Sequence, residues 1–168
     1  VGVNTVKAVM DQYQLGLSAL HGAAEARAIA RAILQETLGI DPLASDPLRY
    51  LSESELLKVY LPLKRLRSGE PLQYVIGHVD FHGVRIAVDP RVLIPRPETE
   101  LLVEAVLHAL PKDAPSRAID LCTGSGCIAI SLAAERAQAS VVATDLSPDA
   151  CALAKENAER LEVGGRVT

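Results

Sequence analysis

Ala118-Ile-Asp-Leu-Cys-Thr-Gly-Ser-Gly-Cys-Ile-Ala-Ile130 is an apolar strand that ends in an aspartate, turns through two glycines and enters an apolar helix. The glycines permit a tight turn and a close backbone approach to a ligand, while the free N–H groups opening the helix face whatever lies above the strand end. Gly124-Ser-Gly-Cys-Ile-Ala129 fits the G-x-G-x-x-G/A dinucleotide fingerprint. Asp145 closes the next apolar run, Ser140-Val-Val-Ala-Thr-Asp145, at the ~20-residue distance of a ribose-binding acid. The fingerprint alone leaves NAD open. Asp120 argues against it: a carboxylate at the base of the loop repels a dianionic pyrophosphate, whereas S-adenosylmethionine has no phosphate and carries a cationic sulfonium and ammonium. The loop from Cys122 to Gly126 is then expected to pack against the methionine and ribose portions. Asp145 is expected to accept hydrogen bonds from both ribose hydroxyls.

Outward from this stretch, the spacing predicts strand 117–121, helix 125–136, strand 140–145 and helix 148–161, a β-α-β-α series that implies a parallel sheet with right-handed crossovers. The chain then enters an apparent third strand at Thr168. So few parallel strands leave long unpaired edges, and the sequence is therefore expected to be part of a longer enzyme.

Upstream, Pro95-Arg-Pro-Glu-Thr-Glu100 stiffens the chain and places two acids in the first turn of a helix running to about Leu110. Between Gly69 and Pro97 the period is two. Val79 and Phe81 lie on one arm, Val84, Ile86 and Val88 on the other, and His82-Gly83 forms the turn, as in a β-hairpin. From Val1 to about Gly69 the pattern is helical. Val6, Val9, Met10, Tyr13, Leu17 and Leu20 share one face before Gly22, and Ala26, Ile29, Ile33 and Thr37 share another before Gly39. Ser52-Glu-Ser-Glu55 is a capping box opening a third helix, which Pro62 is expected to kink or restart. The domain reading is 1–69 helical, 70–96 hairpin linker and 97–168 the N-terminal part of a cofactor-binding α/β domain. Gln73, His78 and His82 are assigned no chemistry.

The 168 residues are 49% hydrophobic and 23% charged with net charge −4, a balance that excludes disorder and lacks the basic footprint of a general nucleic-acid binder. One Phe, four Tyr and no Trp leave few platforms for stacking bases. Cys122, Cys127 and Cys151 lack C-x-x-C spacing and nearby paired histidines, so no disulfide framework and no metal site is expected, and the thiols suit a reducing cytoplasm. No run approaches the ~18 apolar residues of a membrane span, and no secretory signal is expected.

Several segments together resemble one family: Gly69-Glu-Pro-Leu-Gln-Tyr74, Gly77, Phe81-His-Gly83, Val92-Leu-Ile-Pro-Arg-Pro-Glu-Thr-Glu100 and Asp120 to Gly126. They are similar to the HemK/PrmC protein-glutamine methyltransferases. The resemblance runs from about Ser52 onward, and Ile-Pro-Arg-Pro-Glu-Thr-Glu is its most specific part. The fold it implies is α/β: a small helical bundle, a β-hairpin linker and a Rossmann-like S-adenosylmethionine-dependent methyltransferase domain. The activity it implies is transfer of the methyl group of S-adenosylmethionine to the side-chain amide nitrogen of the Gly-Gly-Gln glutamine of peptide-chain release factors, leaving S-adenosylhomocysteine. The helical domain would then help to dock the release factor in the cytoplasm.

Carried over residue by residue, Asp120, Cys122, Thr123, Gly124, Ser125, Gly126 and Asp145 match cofactor positions. Thr99 is a further candidate, either at the methionine end of the cofactor or as a lock on the hinge. Cys122 stands where the family's loop most often begins with glycine, and the small thiol is expected to leave the turn little changed. The family's Asn-Pro-Pro-Tyr motif, which holds the substrate amide, is absent from these 168 residues and is expected beyond Thr168. No catalytic residue is therefore named, and this stretch alone is expected to be inactive, because an amide nitrogen is a poor nucleophile unless hydrogen bonds position it. The competing readings are a ribosomal-protein glutamine methyltransferase, a nucleic-acid amino-methyltransferase of the same superfamily, an NAD-dependent oxidoreductase, and a non-enzymatic binding module.

Overall fold

A computed structural model describes residues 4–168, which divide into two compact units meeting at Ile76 and Gly77. The part of the helical reading that falls on residues 1–3 lies outside the described residues.

The first unit is built on helices α1 (Val6–His21), α2 (Ala23–Leu38), α3 (Glu53–Arg67) and the short α4 (Leu72–Ile76). Thr5 caps α1 by accepting from the Ala8 N–H at 3.2 Å, satisfying a donor the helix start leaves free. Gly22 separates α1 from α2 at φ +80°, and Gly39 closes α2 at φ +67°, both in the left-handed region that glycine enters without a Cβ clash. The predicted faces are the buried ones: Val6, Val9, Tyr13 and Leu17 of α1 meet Ala26, Ile29, Ile33 and Leu34 of α2 and Val59, Leu63 and Leu66 of α3. Leu20 departs from the pattern and stays exposed in the last turn of its helix.

The Ser52–Glu55 capping box forms in both directions. The expected restart at Pro62 does not occur, for α3 runs unbroken through it. Proline can donate nothing to the Lys58 carbonyl. One residue on, the Val59 carbonyl accepts from the fully buried Tyr13 hydroxyl, which ties this turn of α3 to α1. Burial pushes the Tyr13 phenol well above its ordinary pKa, so this donor stays protonated.

The period-two stretch begins at Gly77 rather than at Gly69, because Leu72–Ile76 closes into α4. Arg65 explains the difference. Its guanidinium pairs with Glu70 and also donates to the Tyr74 and Val75 carbonyls, capping a helix too short to persist alone.

The second unit opens with the hairpin β1 (His78–Phe81) and β2 (Val84–Ala87), paired antiparallel with Phe81 opposite Val84. His82 and Gly83 turn it, both with positive φ, which matches the twist of the arms. Helix α5 (Glu98–Ala109) follows, with Glu98 and Glu100 in its first turn. Then come β3 (Ser116–Leu121), α6 (Cys127–Glu135), β4 (Ala139–Thr144) and α7 (Pro148–Arg160). Strands β3 and β4 pair in parallel with Asp120 opposite Ala143, and Val167 bridges in parallel to the other side of Val141. This is the α/β architecture expected. Among the described residues, no helix is long and apolar enough to cross a membrane.

Candidate functional site: the loop after β3

Parallel pairing brings the carboxyl ends of β3 and β4 together, and in such sheets ligands bind just outside those ends. Asp120 is the penultimate residue of β3 and is buried. Its Oδ2 accepts from the Thr123 hydroxyl at 2.6 Å and from the Ala129 N–H at 3.3 Å. Ala129 lies in the first turn of α6, where backbone donors lack intrahelical partners. Asp120 therefore caps α6 from the strand and places a hydrogen-bond acceptor at the helix N-terminus.

The turn between them is knit to β4. Thr123 N–H donates to the Thr144 carbonyl at 2.9 Å and Gly126 N–H to the Thr123 carbonyl at 2.9 Å. Gly124 N–H donates to Asp145 Oδ2 at 2.9 Å, and Asp145 Oδ1 accepts from Ser147 N–H at 3.0 Å. The backbone N–H groups of Ser147, Gly124 and Leu146 hold the Asp145 carboxyl below its ordinary range, outweighing partial desolvation. Asp145 is ionised at neutral pH, and each oxygen keeps a lone pair for a further donor.

The two glycines differ in what they require. A Cβ on Gly126, at φ +81°, would stand 3.0 Å from Ile130 Cδ1 and 3.1 Å from Ala154 Cβ, so this glycine lets α6 and α7 approach. A Cβ on Gly124, at φ +55°, would meet nothing within 4 Å. Space above Gly124, beside an ionised carboxylate, is what a hydroxyl-bearing ligand needs.

At Cys122, which opens the loop, backbone conformation matters as well as size. This residue is exposed and has φ +61°, a left-handed conformation that is strained for any side chain with a Cβ. Glycine suits that position for its backbone as well as for its volume. Cys127, by contrast, is buried in the first turn of α6, and burial raises its thiol pKa.

Of the residues singled out from the sequence, Asp120, Cys122, Thr123, Gly124, Ser125, Gly126 and Asp145 occupy one contiguous loop and its β4 partner. Thr99 lies in the first turn of α5, its N–H on the Arg96 carbonyl at 2.9 Å, and none of the hydrogen bonds that knit the loop reaches it. Asn157 escaped sequence reasoning. It is fully buried in α7 and donates to the Ser125 carbonyl at 2.9 Å. Its signal was present: an amide on the stripe formed by Ala150, Leu153, Ala154 and Ala158, where periodicity calls for hydrocarbon. A cavity of about 470 Å³ opens between Thr123, Cys151, Lys155 and Val167. Among the described residues, no group of three or more His, Cys, Asp or Glu is placed to hold a metal ion.

Residues 12–77 match the PrmC N-terminal domain and residues 98–168 the methyltransferase small domain. The chain is 44% identical over 138 residues to a release factor glutamine methyltransferase of Koribacter versatilis, and 53% identical over 107 residues to that of Bordetella pertussis. It resembles the HemK/PrmC family over both of its parts. The same-named protein of Escherichia coli is 42% identical over 113 residues. These matches take in 81%, 64% and 67% of this chain but 49%, 38% and 40% of the respective relatives. The chain thus spans less than half the length of the curated relatives it matches. The first matched region falls on the helical unit and the second on the part of the chain that holds the glycine loop.

Proposed function

We propose that this chain is the substrate-docking and cofactor-binding part of a release factor glutamine methyltransferase that uses S-adenosylmethionine. The observation that carries the reading is the Asp145 carboxylate, ionised, fixed on Gly124 N–H and adjoining open space. The names of the relatives support the substrate class. When bound, S-adenosylmethionine supplies a methyl group made electrophilic by its sulfonium. The chain's own residues bind and orient it: Asp145 accepts from the ribose hydroxyls, the Cys122–Gly126 backbone packs along the ligand, and Asp120 holds the loop and α6 in register. Thr99 belongs to the hinge on this reading.

The acceptor is the side-chain amide of the glutamine in a Gly-Gly-Gln sequence. Its nitrogen reacts only when its carbonyl and N–H are held in line with the methyl group, a task for residues outside Val1–Thr168. The helical unit (1–69 on the sequence reading) docks the release factor, and the protein works in the cytoplasm, where release factors act.

Titration of S-adenosylhomocysteine into the intact gene product tests this. Binding by the wild type and its loss in Asp145→Ala is the expected result, and methylation of a Gly-Gly-Gln release factor should then follow. Wild-type protein that binds NADH and not S-adenosylhomocysteine would overturn the reading.

A further inference from the structure

Asn157 uses all of its hydrogen-bonding capacity. Nδ2 donates to the Ala87 carbonyl at 3.0 Å and to the Ser125 carbonyl at 2.9 Å, while Oδ1 accepts from the Ala87 N–H at 2.9 Å and from the Arg160 guanidinium at 3.0 Å. With Ala87 it exchanges both backbone bonds, as a neighbouring strand would, so the side chain extends the edge of β2. Its second amide hydrogen reaches the middle of the glycine loop. A buried amide is tolerated only when it is paired, and leucine or alanine would satisfy the stripe of α7 without these demands.

The loop has need of such a brace. Gly124 and Gly126 make the turn possible because they lack a Cβ, and for the same reason they place little barrier against rotation of the peptide planes between them. Holding the Ser125 carbonyl fixes the Ser125–Gly126 peptide, and with it the Gly126 N–H on the Thr123 carbonyl. Two further ties run from the hairpin segment to α7 without touching the loop: Arg91 pairs with Glu156 through two bonds of 3.0 Å, and Arg160 donates to the Arg85 carbonyl at 2.6 Å.

We propose that Asn157 is a positioning residue for the cofactor loop, joining the β2 edge and the Ser125 carbonyl into one unit so that order in the hairpin sets the conformation of the loop. Resting on the S-adenosylmethionine reading above, the same contact sets affinity for that ligand.

The test compares Asn157→Ala with Arg91→Ala, which loosens the hairpin on α7 but not the loop, in the intact gene product. Without ligand, hydrogen exchange in Asn157→Ala should accelerate at both residues 84–88 and residues 124–129, and in Arg91→Ala at residues 84–88 only. Affinity for S-adenosylhomocysteine should fall about tenfold or more in Asn157→Ala and change less than about twofold in Arg91→Ala. If Asn157→Ala does not fold, Asn157→Asp keeps the volume and the acceptor while removing both donors, and the same pattern is expected. Loop exchange unchanged from wild type, or an Arg91→Ala variant that reproduces both effects, overturns the proposal. Wild-type protein that fails to bind S-adenosylhomocysteine would sink the cofactor reading alone, because the exchange pattern decides the coupling without any ligand.

Discussion

Gly124 and Gly126 look alike in the sequence and carry different burdens. Gly126→Ala adds a Cβ into the contact between α6 and α7 at a left-handed φ, and should cost roughly 2–3 kcal/mol from strain and overpacking, read as a lower melting temperature. Gly124→Ala should cost only about 1 kcal/mol, because its Cβ enters open space. That space is where the ligand is proposed to lie, so S-adenosylhomocysteine affinity should fall more in Gly124→Ala than stability does. Equal losses of stability in the two variants would contradict the assignment. Asp145 makes a prediction in pH. Its folded-state pKa is lowered from 3.8, so the stability it contributes is present above that value and disappears as pH falls through the lower, folded one. Ligand affinity set by Asp145 should therefore stay flat from about pH 8 down to 3.8 and decline only below that value, as titration calorimetry across that range would measure. A decline already between pH 8 and 6 would assign the contact to another group.

Elements were legible wherever one local rule acted alone. The capping box at Ser52, the acids opening α5, the glycines closing α1 and α2 and the His82-Gly83 turn are short-range signals, and each forms as read. At Pro62 and at Leu72–Ile76, where the structure differs from the reading, a side chain from outside the segment bonds to it or beside it. The Tyr13 hydroxyl bonds the carbonyl beside the proline defect in α3, and Arg65 caps α4. Pro62→Ala restores the missing donor to Lys58 and should stabilise the helical unit by about 1–3 kcal/mol, seen as a raised denaturation midpoint. No gain, or a loss, would mean that the proline's restriction of the unfolded chain outweighs the missing hydrogen bond.

At the scale of the molecule, the helical unit has a core of its own, and the glycine loop belongs wholly to the other unit. If the first unit docks the protein substrate and the second holds the cofactor, removing residues 1–76 from the intact gene product should leave S-adenosylhomocysteine affinity close to wild type. KM for a folded release factor should rise steeply in that variant, while a short Gly-Gly-Gln peptide is little affected. An equal rise for both substrates would remove docking from the helical unit.

The sequence by itself determined the order and type of the main elements and the loop that forms the candidate site, because hydrophobic period, glycine turns and caps act over a few residues and leave their spacing in the chain. Asp120, the glycine pair and Asp145 were readable for that reason. Only the tertiary structure decided that Asp120 faces inward to cap α6, that Cys122 occupies a left-handed conformation, and that Asn157 joins strand β2 to the loop 32 residues before it. Each depends on which segments the parallel sheet and α7 bring side by side, and contacts between residues far apart in the chain leave no period to read.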